Sequence, residues 1–133
     1  MDFSSYKTWE RIILAVLAIG AFFYFISPSK EAQLLEKGKE FILRQVNSPS
    51  STTFLSYNDN VEDLLSQWGV TFEEKHNALM IEFETTNELG GRTRKTLCIF
   101  YVNGTPVDYA DADYLNKGNV HRYISTMKEK GLW

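Results

Sequence analysis

The sequence predicts an α+β domain, a small antiparallel sheet packed against helices, that follows an N-terminal transmembrane helix. Three observations lead to this prediction. A long apolar run without charge lies near the N-terminus, over residues 12–29. Between residues 78 and 109, three segments have the alternation or the β-branched and aromatic content of strands. Two further segments, over residues 30–46 and 119–130, have apolar side chains at helical spacing.

The uncharged run is 18 residues long. As an α-helix it spans about 27 Å, close to the hydrocarbon thickness of a bilayer. We therefore divide the chain into an anchor, residues 1–29, and a domain, residues 30–133. The alternatives are a cleavable signal peptide, disfavoured by the aromatic residues after the small ones, and a core helix, disfavoured because every face is apolar. The side chains predicted to contact the membrane are Trp9, Ile12, Ile13, Leu14, Val16, Leu17, Phe22, Phe23, Tyr24, Phe25 and Ile26.

Two signals for the orientation of the anchor disagree. More lysine and arginine residues follow the apolar run than precede it, which favours a cytoplasmic domain. A short N-terminal flank before a first apolar segment is instead typical of a signal-anchor, which places the domain outside the cytoplasm. Of these two locations for the domain, we predict the extracytoplasmic one.

Charge and composition exclude some classes of function. Charges flanking the apolar run on its N-terminal side cancel, so the domain carries the formal net charge of −3. This balance argues against nucleic acid as a partner, because phosphate binding requires a basic face. Hydrophobic residues make up 44% of the chain, enough for a core. Cys98 is the single cysteine, so no intramolecular disulfide forms.

The first half of the domain is predicted to hold two helical segments around one strand. Ser29 is a good N-cap residue for the first helix, and Pro49 ends it because the residue before a proline avoids the helical region. The predicted elements are a helix over 30–46, a strand over 52–57, and one or two helical turns over 61–68 with Leu64, Leu65 and Trp68 inward.

The second half is predicted to be a three-stranded meander and a helix. Residues 97–102, LCIFYV, are apolar on both faces, which predicts a central strand covered on both sides. Asn103-Gly104 favours a two-residue hairpin, and Pro106 places the next strand at an edge. We expect the helices to lie on one face of the sheet. The predicted elements are strands over 78–85, 93–102 and 105–109 and a helix over 119–130.

An acidic cluster, Asp108, Asp111 and Asp113, raises the question of a divalent cation site. The glycine and glutamate of the EF-hand spacing are missing, so we predict a solvated acidic loop. An enzyme whose site combines Asp108, Asp111 and His121 is the rival hypothesis.

The remaining residues with catalytic or ligating chemistry are few. His76 and His121 have no zinc-ligand spacing, and Cys98 lies in the doubly apolar strand, where a small buried hydrophobe is expected. A phosphate-binding glycine loop is not found in the sequence. We therefore predict no catalytic residues, no metal ligands and no cofactor, and hence a protein that is not an enzyme.

A basic patch opens the second strand of the meander. Arg92, Arg94 and Lys95 stand opposite Glu82 and Glu84 if the hairpin pairs as predicted. Cross-strand ion pairs are the interpretation that we prefer. Contact with an anion or a lipid headgroup is the alternative.

Two segments together resemble a family of small bacterial domains. Residues 46–54 read VNSPSSTTF, and residues 87–94 carry Asn87, Gly90 and Arg94 before the strand with Cys98. The family carries an L-x-S-P-S-[ST]-A-x-F segment and then N-S-F-G-A-x-x-R before a terminal strand, from which this chain departs at residues 88, 89 and 91. The resemblance spans about residues 40–102. It implies a domain behind a single membrane anchor or lipoprotein signal, usually outside the cytoplasm, and no settled activity.

The order of elements also resembles that of a type IV pilin. An apolar helix with Glu10 and Pro28 is followed by an amphipathic helix and an antiparallel sheet. The prepilin cleavage glycine before a Phe-Thr-Leu-x-Glu-like start is missing from this chain. A pilin-like filament subunit is therefore one alternative.

We predict a single-pass membrane protein that acts by binding, as an accessory or assembly subunit of a larger membrane or envelope complex. The expected partners are the membrane and a protein. A small-ligand or lipid-binding domain, with a cavity between helix and sheet, is a further alternative. Trp133 either contacts a partner or folds back onto its own core. The candidate contact residues are Tyr109, Tyr114, Leu132 and Trp133.

Overall fold

A computed structural model describes residues 29–133 of the chain, and the predicted membrane-contacting residues 9–26 lie outside the described part. The 3₁₀ turn Pro49–Ser51 joins the first helix to the first strand. The helices are α1 (Lys30–Gln45), α2 (Val61–Gln67) and α3 (Val120–Glu129), and the strands are β1 (Thr53–Asn58), β2 (His76–Thr86), β3 (Arg92–Val102) and β4 (Thr105–Asp111).

The four strands form one antiparallel sheet in the order β1-β2-β3-β4. The predicted meander is confirmed, with Leu79 opposite Ile99 in β2–β3 and Cys98 opposite Ala110 in β3–β4. β4 is an edge strand, as Pro106 predicts. The predicted α+β class is therefore correct for the domain.

The helices lie on both faces of the sheet, so the prediction that they share one face is wrong. The first half of β2 explains the difference, since Ala78 and Met80 are apolar on the face opposite Leu79 and Ile81. Both faces therefore have apolar surface to bury. The first core joins α1 to the sheet through Leu34, Ile42, Leu79, Ile81, Phe83, Leu97, Ile99 and Tyr101. The second core joins α2 and α3 to it through Val61, Leu65, Ala78, Cys98, Phe100, Ala110, Val120, Ile124 and Met127.

α1 runs in the same direction as β2 and therefore opposite to β1. Near the start of α1, the Leu34 carbonyl accepts a hydrogen bond of 2.7 Å from the Tyr101 hydroxyl. Tyr101 in turn pairs with Asn77 at the start of β2. After α1 ends, the Ser48 carbonyl lies 3.4 Å from Thr85 Oγ1, at the end of β2. The sheet thus has one end beside the N-terminus of α1 and an opposite end at the β2–β3 hairpin.

Gly38 allows α1 to pack closely over Tyr101. A Cβ atom at this position would overlap the Tyr101 hydroxyl and lie 2.8 Å from Ile81 Cδ1. Glycine costs a helix up to about 1 kcal/mol relative to alanine. The close, buried contact between α1 and the sheet explains why a glycine stands at position 38 despite this cost.

α2 confirms the predicted helical turns, with one exception. Leu65 is buried and Trp68 is half-buried, but Leu64 is 39% exposed and does not point inward. Val61 and Leu65, one turn apart, form the buried side of this seven-residue helix, and Leu64 lies beside that side, toward solvent. Among the helices of residues 29–133, none combines the length and the apolar character that crossing a membrane requires.

Candidate interaction surfaces

The two segments that carry the family resemblance meet at the hairpin end of the sheet. Thr52 Oγ1 donates a 2.9 Å hydrogen bond to the Ser48 carbonyl and lies 2.9 Å from Thr85 Oγ1. The Ser51 hydroxyl lies 2.8 Å from that of Ser48, and the Arg92 guanidinium donates to the Ser51 carbonyl. These contacts fasten the 3₁₀ turn to the β2–β3 hairpin, which is a structural role for both segments.

Glu84 is the centre of the predicted cross-strand ion pairs. Its Oε1 lies 3.0 Å from Arg94 Nη2, and its Oε2 lies 3.5 Å from Arg92 Nη2. The hydrogen bond from Arg94 is the main reason that the pKa of Glu84 is lowered. Lys95 and Glu82 lie opposite uncharged residues in the register, so this half of the prediction is wrong. Strand alternation places them on opposite faces.

Asn87 holds the hairpin loop and presents Leu89 to solvent. Its Oδ1 accepts hydrogen bonds from the backbone N–H groups of Leu89 and Gly91, at 3.0 and 2.9 Å. Gly90 has φ of 82°, a conformation that favours glycine. Leu89 is 96% exposed. The loop is therefore fixed by its own side chain and carries one fully exposed apolar residue.

The residues of the predicted acidic loop and of the enzyme hypothesis are tied to separate parts of the fold. Asp111 Oδ1 accepts a 3.0 Å hydrogen bond from the Asp113 N–H. Asp108 lies close enough to Tyr123 to contribute to its raised pKa, which is due first to burial. His121 Nε2 is 2.8 Å from the Trp68 carbonyl at the end of α2. No group of three His, Cys, Asp or Glu residues in 29–133 is arranged to hold a metal ion.

The C-terminal Trp133 folds back onto its own domain, which was one of the two alternatives. Its ring stacks on His76 at 3.8 Å between centroids and 11° between planes. It also meets Phe72 and Phe100 edge-on at 5.5 Å. Leu132 packs against the same core, and both residues are half-buried. This packing reduces the surface that Leu132 and Trp133 offer to a partner.

His76 is buried within this aromatic contact. Its Nδ1 accepts a 3.3 Å hydrogen bond from the Glu73 N–H, which leaves Nε2 as the protonated nitrogen of the neutral ring. No group of residues 29–133 hydrogen-bonds Nε2. Burial is the main reason that the pKa of His76 is lowered. The imidazole therefore remains neutral at physiological pH.

Tyr109 and Tyr114 lie near the β4 edge, but their rings are on opposite faces of the sheet, because the Tyr109 ring meets Phe41 of α1 at 5.7 Å between centroids and Tyr114 lies beside Tyr123 of α3. The Tyr123 hydroxyl donates a 2.7 Å hydrogen bond to the Tyr109 carbonyl, and the rings of Tyr114 and Tyr123 are 6.3 Å apart. Tyr109 is 38% and Tyr114 is 48% exposed. These two predicted contact residues are therefore both exposed near one edge without forming a single surface, whereas the other two, at the C-terminus, pack on the core.

β1, at the opposite edge of the sheet, was predicted as a strand, but its exposed edge was not predicted as a candidate surface. Its sequence, TFLSYN, has no charged residue and no proline. A bulge leaves Leu55 without a pairing residue in β2, and Leu55 is 40% and Tyr57 48% exposed. A shallow groove of about 140 Å³, the β1 groove, runs between this strand and α1. Its lining residues are Leu35, Lys39, Phe54, Leu55, Ser56, Tyr57 and Ile81.

A more polar cleft of about 660 Å³ lies beside the N-terminal part of α1, between this helix, the start of β2 with the segment before it, and the β3–β4 turn. It is open to solvent and lined by Lys30, Gln33, Lys37, Glu73, Glu74, Lys75, Asn77, Asn103 and Gly104. Three lysines and two glutamates line it, and Lys75 pairs with Glu73 at 3.6 Å. The mixed charges give this cleft no clear preference for an anion or a cation.

Comparisons of the chain with known protein families, with curated proteins and with solved structures found no match.

Proposed function

We propose that this protein is a single-pass membrane protein whose domain binds a protein partner, as an accessory or assembly subunit of a larger membrane or envelope complex. The observation that carries the proposal is the uncharged run of 18 residues that ends at Ser29. Such a run has the length of a membrane-spanning helix. α1 begins at the next residue, with Ser29 as its N-cap. The domain therefore starts at the membrane surface.

Exposed apolar side chains on the sheet edges support a binding role. Tyr109 and Tyr114 lie near one edge, and Leu55 and Tyr57 lie on the other. Aromatic residues are enriched in protein interfaces, where they contribute a large share of the binding energy. The domain is proposed to lie outside the cytoplasm, in line with the resemblance to membrane-anchored bacterial domains.

Crosslinking in intact membranes tests this function. The full chain, with an affinity tag after Trp133, is crosslinked in its own membrane and purified in mild detergent. We expect a second polypeptide in fixed stoichiometry, and recovery of the chain at its full mass in the membrane fraction. A monomer without a partner would refute the accessory-subunit proposal. A chain shortened at residues 18–21 would refute the permanent anchor.

A further inference from the structure

We infer that the contact between Trp133 and His76 is a pH-dependent latch, in which protonation of His76 releases residues 132–133 from the sheet. The closed state is the one that the structure shows, with the Trp133 ring stacked on the imidazole at 3.8 Å between centroids. In the open state the two rings separate and β2 stays in place. The latch is a property of the domain itself, so its test needs no binding partner and does not depend on the proposed function.

The closed state accommodates only the neutral form of His76. In the neutral ring, Nδ1 accepts a 3.3 Å hydrogen bond from the Glu73 N–H. A proton on Nδ1 turns this acceptor into a donor, so that two N–H groups face each other. The other ring nitrogen, Nε2, is buried, and no group of residues 29–133 hydrogen-bonds it. The imidazolium would therefore hold two buried N–H donors without an acceptor, which is costly.

The charged groups around His76 do not offset this cost. On the segment before β2, Glu73 favours the imidazolium, but its carboxylate pairs with Lys75 at 3.6 Å. Lys75 itself and Lys128 of α3 both oppose a positive ring. Val102, the residue of β3 that pairs with His76, carries no charge. Burial, the largest cause, thus lowers the pKa of His76 in the closed state, whereas the open ring regains its ordinary pKa near 6.5.

Residues 132–133 are the part of this contact that can move. His76 belongs to β2, which pairs with β3 along the full 11 residues of both strands. The moving segment instead follows α3, where the Leu132 N–H donates a 2.9 Å hydrogen bond to the Met127 carbonyl. Trp133 is only half-buried, and displacing its ring gives water access to the imidazole. Water then accepts hydrogen bonds from the ring, so opening removes the cost of protonation without breaking the sheet.

The sign of the pH dependence follows from the two pKa values of His76. Above pH 6.5 the ring is neutral in both states, and the closed state has its full stability. Below pH 6.5 the open state binds a proton first, so the ratio of closed to open chains falls by up to about tenfold per pH unit, until the pKa of the closed state is reached. An imidazolium stacked on an indole is attractive, but the stack offers no acceptor to its N–H groups. Acid therefore brings Leu132 and Trp133, two of the predicted contact residues, to the surface.

Amide hydrogen exchange of the full chain in mild detergent, followed by NMR between about pH 7.5 and about pH 5, tests the latch. Each rate is expressed as protection relative to the intrinsic rate of that amide at the same pH. We expect protection of the Leu132 amide to fall about tenfold. The Val70 amide, which donates to the Leu65 carbonyl in the same core, is the control and should change less than about twofold. Unchanged protection of Leu132, or an equal loss at Val70, would overturn the inference.

Two histidine variants identify the group that titrates. His76→Phe keeps an aromatic ring without a titrating proton, and His121→Gln removes the other histidine, which contacts the Trp68 carbonyl. The loss of Leu132 protection should disappear in His76→Phe and persist in His121→Gln, and the reverse result would overturn the inference. If His76→Phe does not fold, the chemical shift of His76 in the parent chain decides. Its pKa must lie below 6.5, and Leu132 protection that falls outside the interval between that pKa and pH 6.5 contradicts the latch.

Discussion

Replacing Gly38 by alanine tests how α1 packs on the sheet. In an isolated helix this substitution is favourable by about 1 kcal/mol. Here the new Cβ would overlap the hydroxyl of Tyr101, a fully buried side chain, and would lie 2.8 Å from Ile81 Cδ1. Overpacking of a core costs about 1–3 kcal/mol, and displacing the Tyr101 hydroxyl from the Leu34 carbonyl costs about 1–3 kcal/mol more. The net expectation is a destabilisation of about 1–5 kcal/mol.

Urea unfolding of the full chain in mild detergent, followed by tryptophan fluorescence, measures this effect. Glu40→Ala, at an exposed position of α1, is the control and should change the free energy of unfolding by less than about 0.5 kcal/mol. Tyr101→Phe removes the overlapping oxygen. We therefore expect Tyr101→Phe to be less costly in the Gly38→Ala background than in the parent chain. A Gly38→Ala variant as stable as the parent would refute the close-packing argument.

Three further outcomes depend on single titratable groups. Burial raises the pKa of the Cys98 thiol to about 12, so a thiol reagent at about pH 8 should label the chain only in denaturant, and rapid labelling of the folded chain would contradict its burial. Arg94 lowers the pKa of Glu84 below 4.5 in the folded state, so the parent should lose stability more steeply than Glu84→Gln as the pH falls through that value, as measured by urea midpoints. Burial lowers the pKa of His76 below 6.5 in the folded state, so the neutral imidazole makes its full contribution to stability above pH 6.5, and this contribution is lost as the pH falls below that value. Trp133 fluorescence should therefore change on acidification in the parent but not in His76→Phe.

The sequence predicts the strands of this domain because their signals are local. The doubly apolar run of β3, the Asn103-Gly104 turn and Pro106 each determine a feature within a few residues of themselves. Positive φ at Asn103 and Gly104, 52° and 78°, is what their residue types favour. Element boundaries differ from prediction by one or two residues, the range in which helix and strand ends are inherently variable.

The distribution of helices over the two faces was not predicted because its signal is weak. Ala78 and Met80 continue an apolar pattern on the second face of β2, but Glu82 and Glu84 interrupt it, so the strand as a whole appears half-buried. The position of α2 and α3 relative to α1 depends on contacts between distant parts of the chain. Periodicity within a single strand does not contain this information.

The candidate surfaces likewise divide into those that local sequence signals predict and those that depend on contacts between distant parts of the chain. Tyr109 follows from the edge position of β4, which Pro106 indicates. The stack of Trp133 on His76 joins residues far apart in the chain, and no local sequence pattern predicts it. β1 is an exposed edge only because β2 pairs with β3 on its other side. Its lack of charge was visible in the sequence, but it becomes informative only once the strand order is known.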